Sequence, residues 1–113
     1  MIKIYHNNRC RKSRCGLEIL ENSGEVFEVI KYLEDIPTAD ELKELISLLN
    51  IRPIDLIRKN ENIWKDNFKG KNFTDDALID IMIKHPKLIE RPIITNGNKA
   101  VIGRPPEKIL DII

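Results

Sequence analysis

The amino-acid sequence predicts an α/β fold with a mixed four-stranded sheet, and three observations support this prediction. A strand, a helix and a second strand follow one another before residue 32, an order that makes the two strands parallel with a right-handed crossover. A helical block then occupies about residues 37–88. Near the end, Asn96-Gly97 stands between two apolar runs, which is the strongest short-range signal for a β-hairpin.

The first part of the chain contains short elements with clear boundaries. Ile2–Tyr5 predicts a buried strand, and residues 26–30 alternate as a second strand does. Between them, the loop at residues 6–9 leads into a helix at about residues 10–21. Residues 22–24, Asn-Ser-Gly, end this helix, because glycine readily adopts the backbone conformation that follows a helix.

The helical block opens on a capping box, since Thr38 is followed three residues later by Glu41. Behind this cap, apolar residues recur at i, i+3, i+4 and i+7, as on one face of an amphipathic helix. These residues are Leu42, Leu45, Ile46 and Leu49.

The rest of the block is less regular. Residues 52–57 are expected to form a short helical piece, and the polar stretch 60–72 is expected to be irregular. Thr74 caps a further helix, which ends at His85 because Pro86 disfavours helical backbone in the residue before it.

The C-terminal part returns to strands. Residues 92–95 and Lys99–Ile102 are the predicted strands of the hairpin, joined by residues 96–98. Residues 103–106 then open a terminal helix. Its inner face is expected to carry Ile109, Leu110 and Ile113.

The order of elements is therefore β-α-β, a helical block, and β-β-α. A βαβ half joined to a ββα half is the layout of a thioredoxin-like domain. We expect residues 1–113 to form a single thioredoxin-like domain with a helical insertion at about residues 37–88.

Composition excludes several classes of protein. With 42% hydrophobic and 33% charged residues, the chain is globular rather than disordered. A net charge of +1 does not suggest nucleic-acid binding. No run approaches about 18 apolar residues, so no membrane span is expected. The N-terminus lacks the features of a signal peptide, so we expect a cytoplasmic protein, and we expect a monomer.

Cys10 is the strongest candidate for a reactive residue. It stands where a strand passes into a helix, and backbone N–H groups and the helix dipole favour a thiolate there. Ser13 lies one turn further on and can donate to the sulfur, while His6 lies just upstream. Four nearby basic residues also favour a pKa below about 8.5. They are Arg9, Arg11, Lys12 and Arg14. The alternative is a buried structural cysteine beside a solvated basic face.

Cys15 is poorly spaced for a disulfide with Cys10. Five helical residues span about 7.5 Å, whereas the Cα atoms of bridged cysteines lie roughly 4.4–6.8 Å apart. We interpret Cys15 as a packing thiol, with a resolving role as the alternative. A metal site is disfavoured, because no spacing among Cys10, Cys15, His6 and His85 matches a zinc signature.

Two arginines stand at informative positions. Arg91 and Arg104 both precede prolines, although lysine is the commoner basic residue of the chain. In a thioredoxin-like domain, the loop entering the first hairpin strand holds a proline near the active thiol, usually after a cis bond, and Arg91-Pro92 fits that place. Arginine can bind a tetrahedral oxyanion through two N–H groups at once, so we expect Arg91 to be exposed in a cleft. Ordinary surface ion pairing is the alternative.

Four segments of the chain resemble the glutaredoxin-coupled arsenate reductases, whose relatives include the Spx-type regulators. The segments are YHNNRCRKSR, LIRKN, FTDDALIDIMIKHPKLIERPII and VIGRPPE, and the similarity covers nearly the whole chain. Two positions depart from the family pattern: Asn8 stands where proline is usual, and Cys15 replaces a polar residue that is not a thiol.

The resemblance implies an enzyme that reduces arsenate or a similar oxyanion. It implies Cys10 as the nucleophile, with His6 and Ser13 beside it, and an oxyanion held by arginines. These arginines are Arg58, Arg91 and Arg104. It implies no bound cofactor or metal, glutathione as co-substrate and glutaredoxin as partner. The alternatives are a glutathione-dependent thiol reductase with another substrate and an Spx-like transcriptional regulator.

Overall fold

The computed structural model describes all residues 1–113, which divide into two compact units. The sheet unit comprises Met1–Asp35 and Arg91–Ile113, and the helical unit comprises Ile36–Glu90. No helix of either unit is long and apolar enough to cross a membrane.

The sheet unit contains four strands and one long helix. Strand β1 (Ile2–Tyr5), helix α1 (Arg11–Ser23) and strand β2 (Phe27–Ile30) form the first half. Strand β3 (Ile93–Asn96) and strand β4 (Lys99–Ile102) form the hairpin of the second. A six-residue 3₁₀ helix at Pro106–Asp111 follows.

The sheet has the order β2-β1-β3-β4. Strand β1 pairs in parallel with β2, and the other two pairings are antiparallel. In the register, Ile4 lies between Val29 of β2 and Ile94 of β3. The predicted fold class, a mixed four-stranded sheet made of βαβ and ββα halves, is confirmed.

An apolar core holds this unit together. Alternate residues of β1 point into it, and α1, β3 and the terminal 3₁₀ helix supply the rest. The buried members are Ile2, Ile4, Leu20, Ile94 and Ile109. Burying a side chain of this size stabilises the fold by roughly 1.5–3 kcal/mol, so the core fixes the place where β1 passes into α1.

Two glycines allow the backbone around Pro92 to pack closely. A Cβ at Gly16 of α1 would lie 2.9 Å from Pro92 Cγ, and one at Gly103 would lie 3.0 Å from the same atom. The peptide bond between Arg91 and Pro92 is cis, as the fold class predicts. The segment that carries Arg91 is therefore held against α1 by contacts that only glycine permits.

The helical unit begins with helix α2 (Ala39–Leu49), whose predicted capping box is present. Thr38 Oγ1 accepts from the Glu41 backbone N–H at 3.2 Å, and a Glu41 carboxylate oxygen accepts from the Thr38 backbone N–H at 3.3 Å. A 3₁₀ turn follows at Pro53–Leu56.

The rest of the helical unit contains two further helices, α3 (Asn62–Asn67) and α4 (Asp75–Lys84), and a 3₁₀ turn at Pro86–Leu88. Thr74 caps α4 as predicted, because its Oγ1 accepts from the Ala77 N–H at 3.2 Å.

Two predictions about secondary structure are wrong. The stretch 60–72, expected to be irregular, contains α3, whose Trp64 is buried and packs against Phe68 and Phe73. Tertiary packing stabilises this helix, because six residues are too few for a stable helix or a clear apolar period. The terminal helix is 3₁₀, and its three residues per turn leave Leu110 57% exposed rather than on the inner face.

Candidate active site

Cys10 occupies the N-cap position of α1. The helix therefore begins at Arg11, one residue after the predicted start. Its backbone is extended, with φ −97° and ψ 120°, and its N–H donates to the Asn7 carbonyl at 3.0 Å. The side chain is half-buried and forms no disulfide. At an N-cap, a side chain faces the free N–H groups of the first helical turn, where a negative charge is stabilised.

The surroundings of Cys10 favour its anionic form. Partial burial raises the pKa of the thiol, but three groups outweigh that effect. The Ser13 backbone N–H, the Arg91 guanidinium and the Lys12 backbone N–H all lower it, so the pKa of Cys10 lies below its ordinary value. The sequence predicted this direction. Helix N–H groups and Arg91 are the leading causes, rather than the side chains of the neighbouring basic residues.

Two arginines from the C-terminal half reach Cys10. Arg104 Nη2 donates to Cys10 Sγ at 3.6 Å, and Arg104 Nε donates to the Arg91 carbonyl at 2.8 Å. Arg91 is only 8% exposed, so the expectation of an exposed side chain in a cleft is wrong. The segment before cis-Pro92 directs this guanidinium inward, where it hydrogen-bonds to Cys10. Two positive groups therefore converge on one sulfur.

His6 and Ser13 form a buried pair beside the thiol. His6 Nδ1 lies 2.6 Å from Ser13 Oγ, and that oxygen also accepts from the Asn7 backbone N–H at 3.0 Å. The Ser13 backbone N–H lowers the pKa of Cys10, whereas donation from the Ser13 hydroxyl to the sulfur stays a prediction. Burial lowers the pKa of His6 below its ordinary value, which favours the neutral imidazole.

The two remaining candidates are Arg58 and Cys15. Arg58 belongs to the helical unit, where its Nη1 lies 3.2 Å from a Glu61 carboxylate oxygen and its backbone N–H donates to the Leu88 carbonyl at 2.7 Å. Its predicted role in holding an oxyanion stays a prediction. Cys15 is a free thiol that lines a cleft of about 550 Å³ between α1 and the terminal 3₁₀ helix, with Glu18 and Glu107.

Sequence reasoning missed Asn7. This residue is 8% exposed, and its side-chain Oδ1 accepts from the Arg9 backbone N–H at 3.0 Å. The available signal was the tendency of asparagine to bond the backbone two residues further on, which closes tight turns.

The site can stabilise a thiolate and an incoming tetrahedral anion together. A tetrahedral oxyanion is negatively charged at neutral pH and therefore repels a thiolate. Preorganised N–H donors offset that repulsion where negative charge develops. Arg91 and Arg104 bring forked donors to the sulfur, and a guanidinium can bind two oxygens of one anion.

Comparison with known proteins places this site in context. A family model described as the ArsC family matches residues 5–112. An arsenate reductase of Acidiphilium multivorum is 44% identical over 113 residues, which cover 99% of this chain and 80% of that protein. The uncharacterized protein YfgD of Escherichia coli strain K12 is 42% identical over 114 residues, 99% of this chain and 96% of its own.

Solved structures agree with this similarity. An arsenate reductase from Vibrio cholerae superposes with a TM-score of 0.93 and 45% sequence identity, over 99% of this chain and 97% of that chain. The similarity therefore extends across both units of the fold.

Proposed function

Because the chain belongs to the ArsC family, we propose that it is an arsenate reductase in which the Cys10 thiolate attacks arsenate. The observation that carries the proposal is the convergence of Arg91 and Arg104 on a thiol of lowered pKa. A structural cysteine needs neither a lowered pKa nor two guanidinium groups, whereas attack on an oxyanion needs both.

The proposed reaction transfers two electrons from thiols to arsenic. The Cys10 sulfur bonds to arsenic(V), and one arsenic oxygen leaves as water after it is protonated. A glutathione thiol then displaces a second arsenic oxygen, which leaves as water. When a second thiol, that of glutaredoxin, takes the glutathione sulfur as a disulfide, the electron pair of the broken As–S bond stays on arsenic. Hydrolysis of the remaining bond between Cys10 and arsenic(III) then releases arsenous acid. Overall, arsenic acid and two thiols give arsenous acid, one disulfide and one water, so atoms and electrons balance. The same hydrolysis restores Cys10 as a thiol.

The other residues of the candidate site have proposed roles in these reaction steps. Arg91 and Arg104 hold the oxyanion while charge builds on its oxygens. His6 and Ser13 hold each other and the start of α1, so that the Ser13 N–H stays directed at the sulfur. Arg58 is proposed as a third oxyanion ligand on the resemblance to the family alone. The proposal needs no bound cofactor, and it places the enzyme in the cytoplasm, where glutathione keeps thiols reduced.

The decisive experiment is an assay of arsenite formation with purified protein, arsenate, glutathione and glutaredoxin, in which each component is omitted in turn. The proposal predicts arsenite only when protein, arsenate and glutathione are all present, and faster turnover when glutaredoxin is added. If the protein instead reduces a low-molecular-weight disulfide with glutathione and forms no arsenite, arsenate is not its substrate.

A further inference from the structure

Asn7 is the most completely hydrogen-bonded residue of the loop that precedes Cys10. Its backbone N–H donates to Ser13 Oγ, its side-chain Oδ1 accepts from the Arg9 N–H, and its carbonyl accepts from the Cys10 N–H, each at 3.0 Å. The residue is buried, with 8% of its surface exposed. Burying a polar side chain costs folding free energy unless its polar groups are hydrogen-bonded. The bond to the Arg9 N–H therefore offsets the cost of burying the Asn7 side chain.

These three bonds join every part of the site that lies on the first half of the chain. The bond to Ser13 Oγ connects Asn7 to the His6–Ser13 pair. The bond to the Cys10 N–H fixes the peptide that precedes the nucleophile. The side-chain bond to the Arg9 N–H closes the turn between them, so the side-chain and backbone oxygens of Asn7 together hold the path of the chain from Asn7 to Cys10.

The orientation of Cys10 depends on that turn. As the N-cap, Cys10 must keep an extended backbone for its sulfur to face the Lys12 and Ser13 N–H groups that lower its pKa. Helical backbone at this position would turn the side chain away from them. A loop that loses its side-chain bond at Arg9 gains freedom at the residue just before Cys10, and the thiolate then spends less time near its donors.

We propose that Asn7 is a positioning residue for the Cys10 thiolate, acting through the turn that its side-chain carbonyl closes. This inference rests on the proposed role of Cys10 as nucleophile. It does not depend on arsenate being the substrate, because any reaction of the thiolate would reveal it.

The test is the pH dependence of Cys10 alkylation by iodoacetamide, measured in a Cys15→Ser background so that one thiol reports. Asn7→Ala removes the acceptor, and Asn7→Ser supplies a hydroxyl that can close the same turn more weakly. Asn22→Ala, an exposed asparagine on α1, is the matched control. Thermal melting of each variant shows whether it is folded.

We expect Asn7→Ala to raise the midpoint of the alkylation profile and to slow alkylation at pH 7 about five-fold, the effect of losing roughly one hydrogen bond. Asn7→Ser should recover part of the difference, and Asn22→Ala should match the parent. An unchanged midpoint in folded Asn7→Ala would overturn the proposal, even if its melting temperature falls. Equal shifts in both Asn7 variants would also overturn it. If Asn7→Ala does not fold, Asn7→Ser decides: a raised midpoint with a rate loss smaller than about five-fold supports the proposal, and an unchanged midpoint or a loss of about five-fold or more overturns it.

Failure of this inference is distinguishable from failure of the proposed function. The alkylation assay contains no arsenate, glutathione or glutaredoxin. A protein that forms no arsenite but shows the expected alkylation profiles would contradict the proposed function and leave the role of Asn7 intact.

Discussion

Arg104 and Cys10 lie 94 positions apart in the chain, yet Nη2 of the arginine donates to the sulfur of the cysteine at 3.6 Å. The same guanidinium donates through Nε to the Arg91 carbonyl at 2.8 Å. One planar group thus ties the nucleophile to the segment before cis-Pro92, and it does so with two N–H donors in fixed relative orientation.

Arg104→Lys should therefore impair catalysis although it preserves the charge. Lysine has one ammonium group and cannot serve both acceptors in the geometry of the fork. We expect arsenite formation to fall about 10²-fold, the size of effect seen when one preorganised donor is lost. Arg52→Lys is the matched control, because Arg52 is exposed and paired with exposed Asp55. Equal activity in the two variants would exclude Arg104 from the site.

The lowered pKa of Cys10 predicts the direction of its pH dependence. The thiolate is the reactive form, so alkylation should be fast above the pKa and should fall as pH drops through it. Measured in the Cys15→Ser variant, the midpoint should lie below about 8.5, the value of an ordinary cysteine. A midpoint at or above that value would show that burial, which raises the pKa, outweighs the N–H groups and Arg91.

Ser13→Ala should destabilise the protein. Ser13 is fully buried, and its hydroxyl oxygen bonds both His6 Nδ1 and the Asn7 N–H. The substitution leaves those two buried groups without this partner, at a cost of about 1–3 kcal/mol for each that finds no substitute. Urea unfolding measures the change, with Ser47→Ala on α2 as a control at a less buried serine. A free energy of unfolding equal to that of the parent would mean that the pair contributes nothing to stability.

Gly16→Ala tests the close contact between α1 and Pro92. Alanine is favoured over glycine in a helix by about 1 kcal/mol, but its Cβ would lie 2.9 Å from Pro92 Cγ and 3.1 Å from Ile109 Cδ1. Overpacking of this kind costs about 1–3 kcal/mol. We expect a net loss in the free energy of unfolding and slower alkylation of Cys10, since Arg91 adjoins Pro92. Higher stability than the parent would show that the segment moves aside without cost.

Much of the fold could be predicted because its local signals agree with one another. The capping box at Thr38, the cap at Thr74, the Gly24 stop with φ 75° and the hairpin around Gly97 are all present. Helix α3 escaped prediction because its stability comes from the packing of Trp64 against other rings rather than from a repeating pattern. That both units belong to one domain stays a prediction.

The approach of Arg91 and Arg104 to Cys10 was predictable from the sequence, whereas the burial and hydrogen bonds of the candidate site were not. The position of Cys10 follows from the order of strand and helix, and the prolines after Arg91 and Arg104 marked those two residues. The burial of Arg91 and the bond between His6 and Ser13 depend on side-chain packing, which no spacing in the sequence encodes. The proposed role of Asn7 could be inferred only from its hydrogen bonds in the structure.

The most direct test of the central claim is arsenite formation by three proteins in the presence of arsenate, glutathione and glutaredoxin: the parent chain, Cys10→Ser and Cys15→Ser. Cys10 lies beside Arg91 and Arg104, whereas Cys15 lines the cleft between α1 and the terminal 3₁₀ helix and is poorly spaced to bridge with Cys10. We predict that the parent and Cys15→Ser form arsenite at comparable rates and that Cys10→Ser forms none above background. Arsenite formation by Cys10→Ser at the parent rate would contradict the account.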